Sequence, residues 1–181
     1  RMIVLSPCDS LEAKKATLES VNTGTPVYIR LAREKTPVMT TEKTPFKIGK
    51  AETYWTSEKP QVGIIATGAL LHKSLLAAKE LGGKTEVEVM NLSTIKPLDE
   101  KAIVELAKKT GRIVTVEEHQ IRGGMGSAVA ECLAKNFPVP MEFIGVDDLF
   151  GQSGTPDELI EHYGMGTKSI IEAVEKILKR K

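Results

Sequence analysis

Cysteine, charge of one sign and long hydrophobic runs are all scarce in this sequence. Only Cys8 and Cys132 occur in 181 residues. Two thiols so far apart make no disulfide framework and fall in no metal-ligand spacing, a pattern that fits reduced thiols and a cytoplasmic location. The 25 basic and 24 acidic residues leave a net charge of +1. No broad electrostatic field therefore directs the chain to nucleic acid or to an anionic membrane, and any anion must be captured locally. Apolar runs such as "VGIIATGALL" are too short to span a bilayer, and the first residues lack a signal-peptide core. The chain reads as soluble, with no membrane partner. It also lacks a leading loop: "RMIVLSP" enters an apolar run at its second residue, which reads as an excised fragment or a processed subunit.

The composition, 41% hydrophobic and 27% charged, is that of a globular protein with one large core or two modest ones. "MIVLS" is a short buried strand. Asp9, followed three residues on by Glu12, is a capping-box signature for a helix, and "PVYIRLA" is a second strand. Residues 1–35 thus form one βαβ unit, too small to stand alone. Residues 36–60 break into Thr, Lys, Pro and Glu, a linker with short β-like stretches at "FKIG" and "ETYW".

Regular alternation returns over residues 61–181. "QVGIIAT", "TEVEVMNL", "RIVTVEE" and "VPMEFIGV" read as strands separated by helices. Asp99 is the expected N-cap and Gly111 the C-terminal stop of one helix, Thr155, Pro156 and Glu158 start another, and Thr167 starts the last. The fold class is α/β: a three-layer sandwich around a mostly parallel sheet, preceded by the partial βαβ unit of a second α/β domain. Ligands in such sheets bind beyond the carboxyl ends of the strands, where helix N-termini point.

Two stretches fall at such ends. The first is "VTVEEHQIRGGMGSAVAE", with Glu117, Glu118 and His119 ahead of Gly123, Gly124 and Gly126. The turn at Gly124, Met125 and Gly126 has the setting of an anion-binding loop. It matches neither GxGxxG nor a phosphate-loop sequence and has no Lys at the helix start. The competing reading is structural: glycines that permit positive φ and close helix-sheet packing, with the charges of Glu117, Glu118 and His119 facing solvent or a neighbouring subunit. The second stretch is "YIRLAR". Alternation along a strand places Arg30 and Arg33 in different environments. Arg33 suits bidentate recognition of a phosphate, or a surface ion pair with Glu34 or Glu12. No glycine-flanked nucleophile elbow occurs, and His72 and His162 lie in helix patterns as surface or boundary residues.

Taken together, "PVYIRLARE", "IIATGALLHKSLLAAKEL", "STIKPLDE" followed by "GRIVTVEEH", and "FGQSGTPDELIEHYGM" resemble the carboxy-terminal third of a transketolase over nearly the whole chain. "STIKPLDE" with "GRIVTVEEH" and a glycine turn resembles the wider thiamine-diphosphate superfamily, which also holds deoxyxylulose-phosphate synthase and the beta subunits of 2-oxoacid dehydrogenases. The resemblance implies that residues 1–35 are the end of a pyrimidine-binding domain. It implies that residues 61–181 are the C-terminal domain, with a mixed sheet of about five strands. It also implies ketol transfer between sugar phosphates, with thiamine diphosphate and Mg2+ (or Ca2+) bound by the complete enzyme and not by this chain alone. The catalytic and metal-binding residues lie outside the chain, an N-terminal transketolase portion is the partner, and the assembly is a homodimer. Of the family's substrate contacts one carries over, to Arg33 in "RLARE". A separate alternative is a noncatalytic dimerisation or anion-binding module built on the glycine turn.

Overall fold

The computed structural model describes residues 1–180. In chain order its elements are β1 (Ile3–Leu5), α1 (Ser10–Ser20), β2 (Val27–Ile29), β3 (Glu52–Trp55), β4 (Val62–Ala66), α2 (Leu70–Leu81) and β5 (Val87–Asn91). There follow β6 (Thr94–Lys96), α3 (Glu100–Thr110), β7 (Ile113–Gln120), α4 (Met125–Asn136), β8 (Met141–Val146), α5 (Pro156–His162) and α6 (Thr167–Leu178). Among the described residues no helix is long and apolar enough to cross a membrane.

The larger sheet runs β3-β5-β4-β7-β8. β5, β4, β7 and β8 pair in parallel and β3 joins the β5 edge antiparallel, so the expected mixed five-stranded sheet is present. β4 is buried along its whole length. Its Val62, Ile64 and Ala66 enter one apolar cluster with α2 and α6. Ile65 enters a second cluster with α3 and α4 on the opposite face. A strand covered on both faces loses the polar half of its alternation, which is why "VGIIA" is a continuous apolar run.

Local signals set the helix ends. The Asp99 carboxylate accepts from the Ala102 N–H at 3.3 Å, and Gly111 closes α3 in the left-handed conformation at φ 69°. The Glu158 carboxylate accepts the N–H and hydroxyl of Thr155 at 3.0 and 2.6 Å, giving α5 its start. At α1 the pattern differs from a standard capping box. Asp9 accepts from the Glu12 N–H at 2.9 Å, but Glu12 reaches past Asp9 to accept from the Cys8 N–H at 2.6 Å.

The smaller sheet has the order β2-β1-β6. β1 and β2 are parallel, and β6 returns antiparallel to β1 from the far side of β5. The sequence pattern does not announce β6, three residues with only Ile95 apolar between two turns. Two more differences fall in residues 36–60. "FKIG" forms a turn. "ETYW", within the expected linker, is the antiparallel edge strand of the larger sheet, its half-buried Tyr54 and Trp55 packed on the α2/α6 cluster.

The two sheets meet at a seam. Thr67 and Gly68, just past β4, bond to the Ser6 carbonyl through the Thr67 hydroxyl at 3.3 Å and the Gly68 N–H at 3.2 Å. Asp9 accepts four hydrogen bonds there, from the N–H groups of Glu12, Met39 and Thr40 and from the Thr40 hydroxyl. Glu12 is 3% exposed and accepts from Asn91 Nδ2 at 2.8 Å. Burial pushes both carboxyls up. The N–H and hydroxyl donors hold Asp9 below the usual carboxylate range, whereas burial wins at Glu12 and its carboxyl stays raised.

Candidate functional site

The carboxyl ends of β1, β2, β4 and β7 converge beside the seam, and both sequence stretches singled out above arrive there. Glu117, in the C-terminal half of β7, is 3% exposed. Its carboxylate accepts the N–H groups of Met125 and Gly126, each at 2.7 Å, at the start of α4. That contact requires the glycines. A Cβ on Gly124 would lie 2.3 Å from Glu117 Oε2, and one on Gly126 would lie 2.6 Å from Thr115 Oγ1. Gly123 turns the chain at φ 80°, and its N–H donates to the Ser127 hydroxyl at 2.9 Å.

This corrects two sequence expectations. The charge of Glu117 does not face solvent; it is enclosed. The turn at Gly124, Met125 and Gly126 is not a vacant anion site either, because the chain's own carboxylate occupies the amides that an outside anion would need. The helix N-terminus does capture an anion, but an internal one. Burial raises the Glu117 carboxyl above its ordinary range, against the two N–H donors and the positive charge of His119 and Arg30. Glu118 and His119 are exposed, as the structural reading of the turn expects. His119 Nδ1 lies 3.0 Å from the Gln120 carbonyl oxygen.

Arg33 lies beyond the end of β2, its side chain 95% exposed, with Nε 3.8 Å from Glu34 Oε1. The surface ion pair is formed, and so is the approach to a cavity. Arg30 is half-buried and sits where two cavities meet. One, of about 200 Å³, is mainly apolar and lies among Val4, Tyr28, Ile95, Glu117, His119 and Met125. The other, of about 190 Å³, lies among Ser6, Arg30, Arg33, Thr67, Gly68 and Ala69. Alternation predicts separate environments for Arg30 and Arg33, but β2 ends at Ile29, and both reach the second cavity in irregular backbone beyond it.

The remaining candidates lie elsewhere. His72 is half-buried on α2 and His162 is exposed on α5, its ring edge-on to Tyr163 at 4.8 Å. Cys8 and Cys132 are buried free thiols, both pushed up by burial. Among the described residues no group of three or more His, Cys, Asp or Glu is placed to hold a metal ion. The sequence alone gives Arg30 no role and does not point to Ser6 or Thr67 as cavity residues. The available signal was two arginines three apart across a strand end.

A helix-covered, mostly parallel five-stranded sheet joined to a second small sheet is the architecture of a transketolase C-terminal region. Residues 49–170 match the family model of the transketolase C-terminal domain, and the chain belongs to that family. It is 41% identical over 99% of its length to the 6-deoxy-6-sulfo-D-fructose transketolase subunit SqwH of Clostridium sp. (strain MSTE9), covering 56% of that protein. It is 35% identical over 99% of its length to one of the subunits of the apulose-4-phosphate transketolase of Phocaeicola vulgatus, covering 57%. Among solved structures, a split-gene transketolase, an inactive beta4 tetramer, matches with a TM-score of 0.93 at 37% identity, covering 98% of this chain and 58% of that one. The chain spans about half the length of these relatives.

Proposed function

We propose that this chain is the C-terminal portion of a split transketolase subunit, a transferase moving a two-carbon ketol unit from a ketose phosphate to an aldose phosphate. The observation that carries the reading is the match to split-enzyme subunits over 99% of the chain, which takes in residues 1–48, ahead of the family-model match at 49–170. The seam gives that match a physical sense, because Ser6 and Glu12 fasten the first unit onto the C-terminal domain and Asp9 fastens it onto the connecting segment.

In this reading the complete enzyme is cytoplasmic and works in pentose phosphate metabolism. It binds thiamine diphosphate with Mg2+ (or Ca2+) and assembles as a homodimer with an N-terminal transketolase portion. The described residues hold no acidic or imidazole set suited to that metal, so no catalytic step is assigned to them. Their work is assembly and substrate positioning. Arg33 meets the phosphate at the far end of the sugar, where binding energy is used for orientation.

The test is calorimetric titration of thiamine diphosphate and Mg2+ into this chain, then into the chain with a separately expressed N-terminal partner. Binding and ketol transfer only with the partner are expected. Binding by the chain alone, or transfer from pyruvate in place of ketose phosphates, would overturn the reading. In the assembled enzyme Arg33→Ala should raise KM for phosphorylated acceptors more than for unphosphorylated ones, and an equal rise for both would remove Arg33 from this role.

A further inference from the structure

We propose that this chain docks with a second copy of itself, the exposed Phe150 of each copy entering the apolar cavity of the other. The proposal concerns the chain by itself and stands whether or not the transketolase reading does.

The loop after β8 carries the knob. Phe150 is 101% exposed and Leu149 beside it 58%, yet the backbone that displays them is held at three points. The Asp148 N–H donates to Gln120 Oε1 at 3.0 Å, the Tyr163 hydroxyl donates to the Phe150 carbonyl at 2.8 Å, and Asp147 lies 3.5 Å from Arg122. Asp148 is also the one non-glycine residue at positive φ among the described residues, at 53°. A large aromatic left in water on a fixed backbone gives up little freedom when it is covered, which is the character of an interface anchor.

The mainly apolar cavity among Val4, Tyr28, Ile95 and Met125, of about 200 Å³, is the hole. An apolar cavity of about 150 Å³ is enough to hold benzene, so this one takes a phenyl ring. Phe150 of the same chain does not fill it, being wholly exposed. Charge matches as well as size. Arg30 stands at the wall of the hole, and among the described residues it has no carboxylate within 4 Å, whereas Arg33, Arg122 and Arg180 each have one. Asp148, next to the knob, is exposed and among the described residues pairs with no cation. The unpaired positive charge thus belongs to the hole and the unpaired negative charge to the knob, the complementarity that fixes register between two surfaces. The position of the two features allows both joints at once. His119 and Gly123 line the hole, and the residues between them, Gln120 and Arg122, hold the loop that bears the knob. Knob and hole are therefore neighbours at one end of the molecule, and a two-fold axis beside this turn seats each Phe150 in the other copy.

The first arm of the test is sedimentation velocity of the 181-residue chain over roughly 1 μM to 1 mM, the range of weak to moderate complexes. A monomer–dimer equilibrium is expected, and a chain monomeric throughout overturns the proposal. Phe150→Ser should weaken dimerisation about thirtyfold, the loss of a seated aromatic anchor. Tyr28→Glu, which sets a carboxylate in the wall of the hole against the acidic knob, should weaken it by a similar factor. Both positions are exposed, at 101% and 52%, and unchanged circular dichroism and melting separate lost docking from lost folding. A dimer indifferent to Phe150→Ser overturns the knob, and one indifferent to Tyr28→Glu overturns the hole.

The second arm mixes the two variants, one of them carrying a fluorescent label. The Phe150→Ser copy keeps its hole and the Tyr28→Glu copy keeps its knob, so one of the two joints survives in the mixed pair. Two equal joints that contribute additively make the mixed dimer tighter than either variant's own dimer by about fivefold, the square root of about thirtyfold. No gain on mixing would show that Phe150 and the cavity do not meet, and would overturn the pairing even if each variant alone weakens the dimer.

Discussion

The two interiors of this molecule are built on opposite principles. The larger sheet packs an apolar cluster on each face, with Ile64 and Val116 in one and Ile65 and Leu133 in the other. The seam between the sheets is polar, with Ser6, Asp9, Glu12, Thr40, Asn91, Ser93 and Thr94 all buried. A dry core rewards volume and tolerates shape, since dispersion and burial have no direction. A polar seam rewards one arrangement, because each donor must find its acceptor. The sheet makes the fold stable, and the seam makes the placement of the first unit unique.

That contrast can be broken by substitutions of nearly constant volume. The largest loss is expected at Asp9→Asn, where the new amide group confronts N–H donors now shared between two carboxylate oxygens; about 3 kcal/mol should be lost in urea unfolding. Next is Glu117→Gln, which leaves one of the Met125 and Gly126 N–H groups facing an amide donor, at about 2 kcal/mol by the same measurement. Ile65→Val in the dry core should cost about 1 kcal/mol although it removes a methylene. If Ile65→Val costs more than Asp9→Asn, direction does not matter at the seam and the comparison fails.

The smallest effect sharpens the contrast through pH. Asp9 is held below its ordinary value of 3.8, so its contribution is present above pH 3.8 and is lost as pH falls through its lowered native value. Glu12 is raised above 4.5, so the native state binds its proton more tightly than the unfolded chain does. That contribution is full below pH 4.5 and is lost as pH rises through the raised value. The pair together therefore favours folding most between about pH 3.8 and 4.5. Glu12→Gln should remove the upper slope, seen as a stability curve flatter than the parent chain's above pH 4.5. The seam can accommodate the amide that this substitution introduces, because Asn91 Oδ1 is buried without a partner and can accept from it. An unchanged slope would show that Glu12 ionises freely in the native state.

How much of this was legible in the sequence follows the same division. The dry sheet announces itself by local pattern: "VGIIA" is buried on both sides, and Asp99, Gly111 and Thr155 mark helix ends by their own chemistry. The seam is made of long-range partners. Glu12 meets Asn91 across 79 residues and Thr67 meets Ser6 across 61, and no periodicity encodes such pairs. Arg30 is of this kind, since its environment depends on β7 and on the turn before α2. The glycine turn is intermediate. Its backbone need was readable from Gly123, Gly124 and Gly126, but which anion would fill it was not. Glu117 does so from eight or nine residues upstream, and only the position where β7 ends brings it within reach.

Strand β6 gives the molecule a mechanical property. β1 is the middle strand of the small sheet, bonded to β2 on one edge and to β6 on the other, and β6 continues within a few residues into β5 on one side and α3 on the other. A pull on β1 is therefore transmitted along the backbone into a strand of the larger sheet and into a helix on one of its faces, as through a rivet set across two plates. Single-molecule extension from residue 2 should show one rupture event with no early detachment of α1, whereas a chain joined end to end without such a crossing would peel off its first unit at low force.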